Sequence, residues 1–298
     1  MEDIRKLLEA ARSGGPVVLW DGAVGTQLLA RGLTGKTVPE LWNLEQPEAL
    51  TAIHADYLAA GAQVVQTNTF GANRIKLAAA GCEDRLEAIN REAVKAAQEA
   101  VKKVGRGLVA GDLGPTGQMI EPSGTLTAAA AKTVYAEQAK VLAEAGVDLI
   151  SIETMFDLEE ATAAVRGAKK VCDLPVVAQM TFRKTLRGFF TMMGVTPEQA
   201  VLGLLEAGAA AVGANCNLAM PEMVELIREM KKFSPIPLIA QPNAGEPKLV
   251  DGKTVYAETA QGFAALAPDL RAAGASALGA CCGSAPDFIA ALKERLKS

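Results

Sequence analysis

An eightfold alternation constrains this chain more than any other feature. Eight short apolar runs, each followed by a stretch with helical spacing, fill most of its 298 residues. The runs are Val17–Trp20, Val64–Thr67, Leu108–Gly111, Leu149–Ile152, Val176–Met180, Ala210–Gly213, Leu238–Ala240 and Ala275–Leu278. They are continuously apolar, which is the pattern of parallel strands covered on both faces. The stretches between them are Pro47–Ala60, Glu83–Lys103, Thr127–Ala145, Leu158–Val171, Pro197–Ala207, Pro221–Lys232, Glu258–Ala273 and Ala285–Leu296. Pro197 and Pro221 sit where a helix starts and needs no amide proton. Gly61, Gly146, Gly208 and Gly274 sit where one ends in a left-handed turn. Eight βα units predict an α/β fold, a (β/α)8 TIM barrel, with an open doubly wound sheet as the alternative. Ile4, Leu7, Leu8 and Ala11 share one face of a short N-terminal helix expected to close the barrel's bottom. One domain over residues 1–298 is expected, with no second domain.

Composition excludes several classes of partner. The formal net charge is −4 and there is no basic tract, so neither nucleic acid nor an anionic membrane surface is expected. Apolar runs such as Ala209–Ala214 fall far short of the ~20 residues that span a bilayer. The N-terminus lacks the apolar core and cleavage site of a secretory signal. Five cysteines without an export signal point to a reducing cytoplasm and to free or metal-bound thiols.

In such a barrel, chemistry gathers where strands end. The unusual residues follow the runs: Asp21-Gly-Ala-Val-Gly-Thr26, Thr67-Asn-Thr-Phe-Gly-Ala-Asn73, Gly111-Asp-Leu-Gly-Pro-Thr-Gly117, Glu153-Thr-Met155, Gly213-Ala-Asn-Cys-Asn217, Gln241-Pro-Asn-Ala-Gly245 and Gly279-Ala-Cys-Cys-Gly283. Cys216 closes the sixth run, and Cys281 and Cys282 close the eighth. Thiolates favour Zn2+, and three protein ligands with one open position is the catalytic pattern. The plainer reading is three small buried hydrophobes. A site of three cysteines suits activation of a thiol, because Zn2+ deprotonates a bound thiol at neutral pH. His54, the one histidine, lies within a helical stretch and reads as a packing residue, which argues against a Ser–His mechanism. Cys82 and Cys172 read as space-fillers. Asp21 and Glu153 are the carboxylates best placed for a substrate amino group. Asp21 reads equally as a turn residue before glycine, Asp112 could simply cap a Gly/Pro turn, and the Gly22–Gly25 backbone is open to a substrate carboxylate.

Taken in order, DGAVGT, QTNTFGAN, GDLGPTG, ETM, GANCN, QPNAG and GACCG resemble the homocysteine S-methyltransferase family over about residues 15–295. The likeness is greatest to the homocysteine-binding N-terminal module of cobalamin-dependent methionine synthase. It implies Cys216, Cys281 and Cys282 as zinc ligands that act in catalysis through the metal, with Asn243 a candidate fourth ligand. It implies Asp21 and Glu153 at the homocysteine amino group, Gly22 and Ala23 at its carboxylate, and Asn68 and Thr69 in the pocket wall. Departures are Gln63, Gln179, Ala280 and the apolar Phe189–Gly194 segment. The TNTFGAN and PNAG forms point to methylcobalamin, carried by a separate corrinoid protein, as methyl donor and to methionine as product. The alternatives are a donor of the S-methylmethionine or other onium type, a different thiol acceptor, or a non-catalytic zinc-binding scaffold.

Overall fold

The computed structural model describes residues 3–34, 38–245, 247–250 and 253–297. Its strands in chain order are β1 (Val18–Leu19), β2 (Val64–Gln66), β3 (Leu108–Leu113), β4 (Leu149–Met155), β5 (Val176–Met180), β6 (Arg183–Thr185), β7 (Gly188–Phe190), β8 (Ala211–Asn215), β9 (Leu238–Gln241), β10 (Pro247–Val250), β11 (Lys253–Tyr256) and β12 (Ala275–Leu278). Eight of them form one parallel sheet in the order β1-β12-β9-β8-β5-β4-β3-β2. The two ends meet. Trp20 bridges Val64, and Gln63 N donates to Leu19 O at 2.7 Å while its Oε1 accepts from Leu19 N at 3.1 Å. The sheet is therefore a (β/α)8 barrel with helices outside, as the alternation predicts.

Inward-facing side chains follow the period of two along each strand. Val18, Trp20, Val64, Leu108, Ala110, Leu149, Val177, Ala211, Ile239 and Ala277 fill the interior as one apolar cluster. Ile4 and Leu8 of the helix Ile4–Arg12 join that cluster and seal the bottom. Continuing two or four residues along the same strands brings Gln66, Asp112, Glu153, Gln179, Asn215 and Gln241 inward. The barrel thus changes from hydrocarbon at its base to amides and carboxylates at its C-terminal mouth. The other faces of the strands pack on the helices in a larger cluster. Each large aliphatic side chain buried there contributes about 1.5–3 kcal/mol.

The structure departs from the sequence expectations in local ways. The stretch Glu258–Ala273 is two helices, Ala260–Ala265 and Ala267–Ala273, divided at Leu266. Pro268 supplies no amide proton and its ring crowds the preceding turn, so one continuous helix cannot form. Short helices Val24–Ala30, Trp42–Glu45 and Arg74–Ala79 lie between the main elements. Two antiparallel hairpins, β6–β7 and β10–β11, stand in the connections after β5 and β9. Among the described residues, no helix is long and apolar enough to cross a membrane.

Gly213 shows how tightly the barrel wall is drawn. A Cβ there would lie 2.0 Å from the carbonyl oxygen of Ile239, its neighbour across the β8–β9 ladder. That oxygen belongs to the sheet and has nowhere to go. Gly213→Ala is therefore expected to lower stability by at least about 1–3 kcal/mol. Urea unfolding measures this, and an unchanged midpoint would contradict the packing described.

Candidate active site

β8 and β12 each end in cysteine-bearing turns at the mouth. Beyond Asn215, Cys216 and Asn217 adopt left-handed backbone, with φ of 61° and 56°. Such conformations are costly for residues with a Cβ and persist only where surroundings hold them. Here Cys216 N donates to Gln241 O and Leu218 N to Cys216 O. The second turn is held as firmly: Ala280 N donates to Asp21 O, Cys281 N to Pro242 O, and Ala244 N to Cys282 O. The outcome is three sulfur atoms within 4.8 Å of one another. Cys216 and Cys282 are 3.8 Å apart, and Cys281 and Cys282 are 4.0 Å apart.

Three thiols this close cannot all ionise alone. S–H donation from Cys216 and Cys281 holds Cys282 as thiolate, down to about 3. Cys281 donates to Cys216 and so favours its thiolate, but donation from Cys216 to Cys282, burial and the Cys282 charge outweigh this and lift Cys216 to about 11. Cys281, donor to both, is raised further. A divalent cation would relieve that repulsion and take all three as thiolates. In the turn after β9, where Ala244 N donates to Cys282 O, the Oδ1 of Asn243 is buried and without a hydrogen-bond partner and could serve as a further donor. The donor set therefore fits Zn2+.

Beside the sulfurs lies a carboxylate group that sequence reasoning only half identified. Asp21, after β1, is buried; its Oδ2 accepts from Gln66 N at 2.8 Å and its Oδ1 has no partner. Asp112, at the end of β3, is equally buried with an unpartnered Oδ1. It is therefore no turn cap but a third member of the cluster. Glu153, at the end of β4, is partly exposed and accepts from Asn215 Nδ2 at 2.9 Å. That amide also reaches Thr154 Oγ1 at 2.8 Å and Cys281 Sγ at 3.9 Å, linking carboxylate and thiol sides. Loss of solvent, then the charge of Glu153, push Asp21 and Asp112 well above the usual carboxylate range. Glu153 rises to about 7, through loss of solvent and against hydrogen bonding from Gln66. Unpartnered carboxylate oxygens in a shared pocket make a receptor for a cation such as an ammonium group.

The other sequence candidates fall into two groups. Gly22 and Ala23 follow Asp21 directly, with Ala23 N donating to Ser284 Oγ at 3.0 Å and Ala23 O accepting from Tyr57 Oη at 3.3 Å. Gly22 is pressed against those same side chains, since a Cβ would lie 2.5 Å from Ser284 Oγ. Asn68 and Thr69 are turned to their neighbours instead. Asn68 Nδ2 donates to Pro39 O and Asn43 Oδ1, both at 2.9 Å, and Thr69 Oγ1 donates to Asp112 O at 2.7 Å. His54 is fully buried within the helix Pro47–Ala60, and burial depresses it to about 4. Cys82 and Cys172 lie away from the sulfur triad.

Tyr256, at the end of β11, is a residue that sequence reasoning missed. Its ring lies against Gly283, where a Cβ would come within 2.2 Å of Tyr256 Cγ. Burial and the charge of the neighbouring Cys282 push its hydroxyl up to about 12. The signal was available: Asp251-Gly252 between two short runs is a strong hairpin dipeptide.

Fold and site define a (β/α)8 enzyme whose chemistry centres on a thiol triad beside a carboxylate pocket. Known proteins narrow this further. The profile of a family described as "Homocysteine S-methyltransferase" matches residues 18–296. Homocysteine S-methyltransferase of Escherichia coli K12 is 32% identical over 94% of this chain and 95% of its own. Methionine synthase of Mycobacterium tuberculosis is 32% identical over 92% of this chain, which spans only 24% of that protein's length. The crystal structure of the metallated homocysteine methyltransferase MmuM from Escherichia coli superposes with a TM-score of 0.80 at 27% identity, covering 97% of this chain and 99% of that one. The chain belongs to the homocysteine S-methyltransferase family.

The carboxylate pocket has a pH signature. Glu153 titrates at about 7 in the fold against 4.5 ordinarily, so the folded chain binds this proton more tightly than the unfolded one. Its contribution to stability is complete below pH 4.5 and lost as the pH rises through 7. His54 acts oppositely: its contribution is present above 6.5 and lost as the pH falls through about 4. Glu153→Gln separates the two. Relative to wild type, the metal-free variant is expected to gain stability as the pH rises from about 5 to about 8. Paired urea titrations would show this, and a difference that ignores pH would contradict it.

Proposed function

We propose that this chain transfers a methyl group to the thiol of homocysteine, giving methionine, with Zn2+ held by Cys216, Cys281 and Cys282. The observation that carries the reading is the set of sulfurs within 4.8 Å of one another at a barrel mouth, beside carboxylates with unpartnered oxygens. When bound, Zn2+ supplies the positive charge that keeps an incoming thiol deprotonated and nucleophilic at neutral pH.

The chain's own residues hold the acceptor. Asp21 and Glu153 take its ammonium group, with Asp112 adding charge beside them. The α-carboxylate lies one carbon away, and the backbone of Gly22 and Ala23, immediately after Asp21, receives it, the Ala23 N–H exchanging Ser284 Oγ for the carboxylate. Asn243 Oδ1, buried and without a hydrogen-bond partner, would supply a further oxygen ligand beside the three thiolates. Asn68 and Thr69 shape the wall, Thr69 by gripping the Asp112 backbone. Burial of the pocket keeps water from competing as methyl acceptor. No general base is required, which accords with a sole histidine packed inside a helix.

The donor is methylcobalamin carried by a separate corrinoid protein, a reading supported by the 32% identity to a methionine synthase. A second reading, a free small-molecule donor of the S-methylmethionine or onium type, is favoured by the match over 95% of the Escherichia coli homocysteine S-methyltransferase, which leaves little length there for a carrier module. Supplying homocysteine with each donor and quantifying methionine separates them. Methionine from S-methylmethionine and none from methylcobalamin would overturn the first choice. Cys282→Ala should lose bound zinc, and activity should fall by more than the ~10–100-fold typical of residues that merely support a metal ligand. A variant with wild-type activity and no zinc would remove the basis of the mechanism.

A further inference from the structure

Across the mouth runs a chain of three glutamine side chains with a single polarity. Gln179 on β5 donates its Nε2–H to Gln241 Oε1 on β9 at 2.7 Å. Gln241 donates its own Nε2–H to Gln66 Oε1 on β2 at 3.0 Å. Gln66 in turn stands beside the carboxylates of Asp112 and Glu153, its backbone N–H given to Asp21 Oδ2 at 2.8 Å, and its amide favours the charged forms of Asp112 and Glu153 against the effect of burial. All three glutamines are buried. Gly279 makes space for the crossing, because a Cβ there would stand 2.7 Å from Trp20 Cβ and 3.2 Å from Gln241 Cγ.

An amide has one donor end and one acceptor end, so each link dictates the orientation of the next. The Gln66 carbonyl is occupied by Gln241, and its amino group therefore faces the carboxylates. Turned the other way, Gln66 would aim an oxygen at two acids and compete with them for any cation. Gln179 starts the sequence. Its own Oε1 is buried and partnerless, so no bond at that end of the amide holds its orientation. The link to Gln241 is what holds it.

We propose that Gln179 is a positioning residue for the substrate's ammonium group: through Gln241 and Gln66 it orients the acceptor oxygens of Glu153 and Asp112 toward that cation. This rests on the homocysteine reading above. A strand residue that touches neither thiol nor metal would thereby set selectivity for an amino-acid thiol.

The test compares two thiols on the zinc-loaded protein by calorimetry: homocysteine, and 4-mercaptobutanoate, which lacks only the amino group. Wild type should prefer homocysteine. Gln179→Met keeps the volume and removes the donor, and should weaken homocysteine about tenfold while leaving 4-mercaptobutanoate unchanged. Gln179→Glu should do more harm at neutral pH. Its carboxylate accepts from Gln241 and reverses the polarity of both remaining amides. Equal weakening of the two thiols, no change in either, or a glutamate variant no worse than the methionine variant would each overturn the relay. If wild type itself binds both thiols alike, the ammonium reading of the pocket fails at its source and the relay falls with it. Zinc content of each variant distinguishes these outcomes from misfolding.

Discussion

Packing three sulfur atoms within 4.8 Å of one another sets the terms for the rest of the mouth. Neutral thiols gain little from such proximity, and three thiolates would repel strongly. The turns that create it are not relaxed: Cys216 and Asn217 sit at positive φ, as does Thr154 beside Glu153. Conformations of that kind cost roughly 1–3 kcal/mol each. They are sustained because the barrel over-determines them, through backbone bonds from Cys216 to Gln241, Cys281 to Pro242 and Ala244 to Cys282. The rigid parallel ladder beneath is what allows strained, electrostatically awkward turns to keep one geometry.

The same ladder explains why acids and thiols share a pocket. Side chains two residues apart on a strand point the same way, so a strand that places Leu149 in the apolar floor places Glu153 at the mouth. β3 does the same with Leu108 and Asp112, and β9 with Ile239 and Gln241. The hydrocarbon base lowers the local dielectric and lifts the acids above it. It also strengthens whatever cation the acids receive. Stability is thus given up at the mouth of the barrel, while the base and the outer helix layer maintain the fold.

Much of this was legible in the sequence, and the unread parts have physical causes. Continuous apolar runs bounded by turn residues marked the eight barrel strands, and Cys216, Cys281 and Cys282 stood out because they end two of them. The helix break at Leu266 escaped notice because Ala and Leu on either side keep helical spacing, and only Pro268 betrays it. Asp112 was ambiguous because a Gly/Pro turn explains an aspartate as well as a pocket does. The glutamine relay was invisible in principle: Gln66, Gln179 and Gln241 lie far apart in sequence, and their meeting depends on register across strands that only the closed barrel provides.

The departures from the family pattern gain sense from the same geometry. Gln63 ties β1 to β2 through both its backbone and its amide, closing the seam where the barrel's two ends meet. Ala280 is buried, with its amide proton given to Asp21 O, so the extra methyl sits where the chain was already fixed. In the segment after β5, Phe189 and Thr191 are buried whereas Met192 is well exposed, and Leu186 at the hairpin tip is wholly so. Gln63 and Ala280 are each held by a partner on β1 or in the turn after it. Phe189 and Thr191 are packed inward as well, and packing imposes little at Met192 and Leu186. The barrel's inner face at the mouth is therefore under strict geometric control. At Met192 and Leu186, where side chains meet solvent around the mouth, no such control applies.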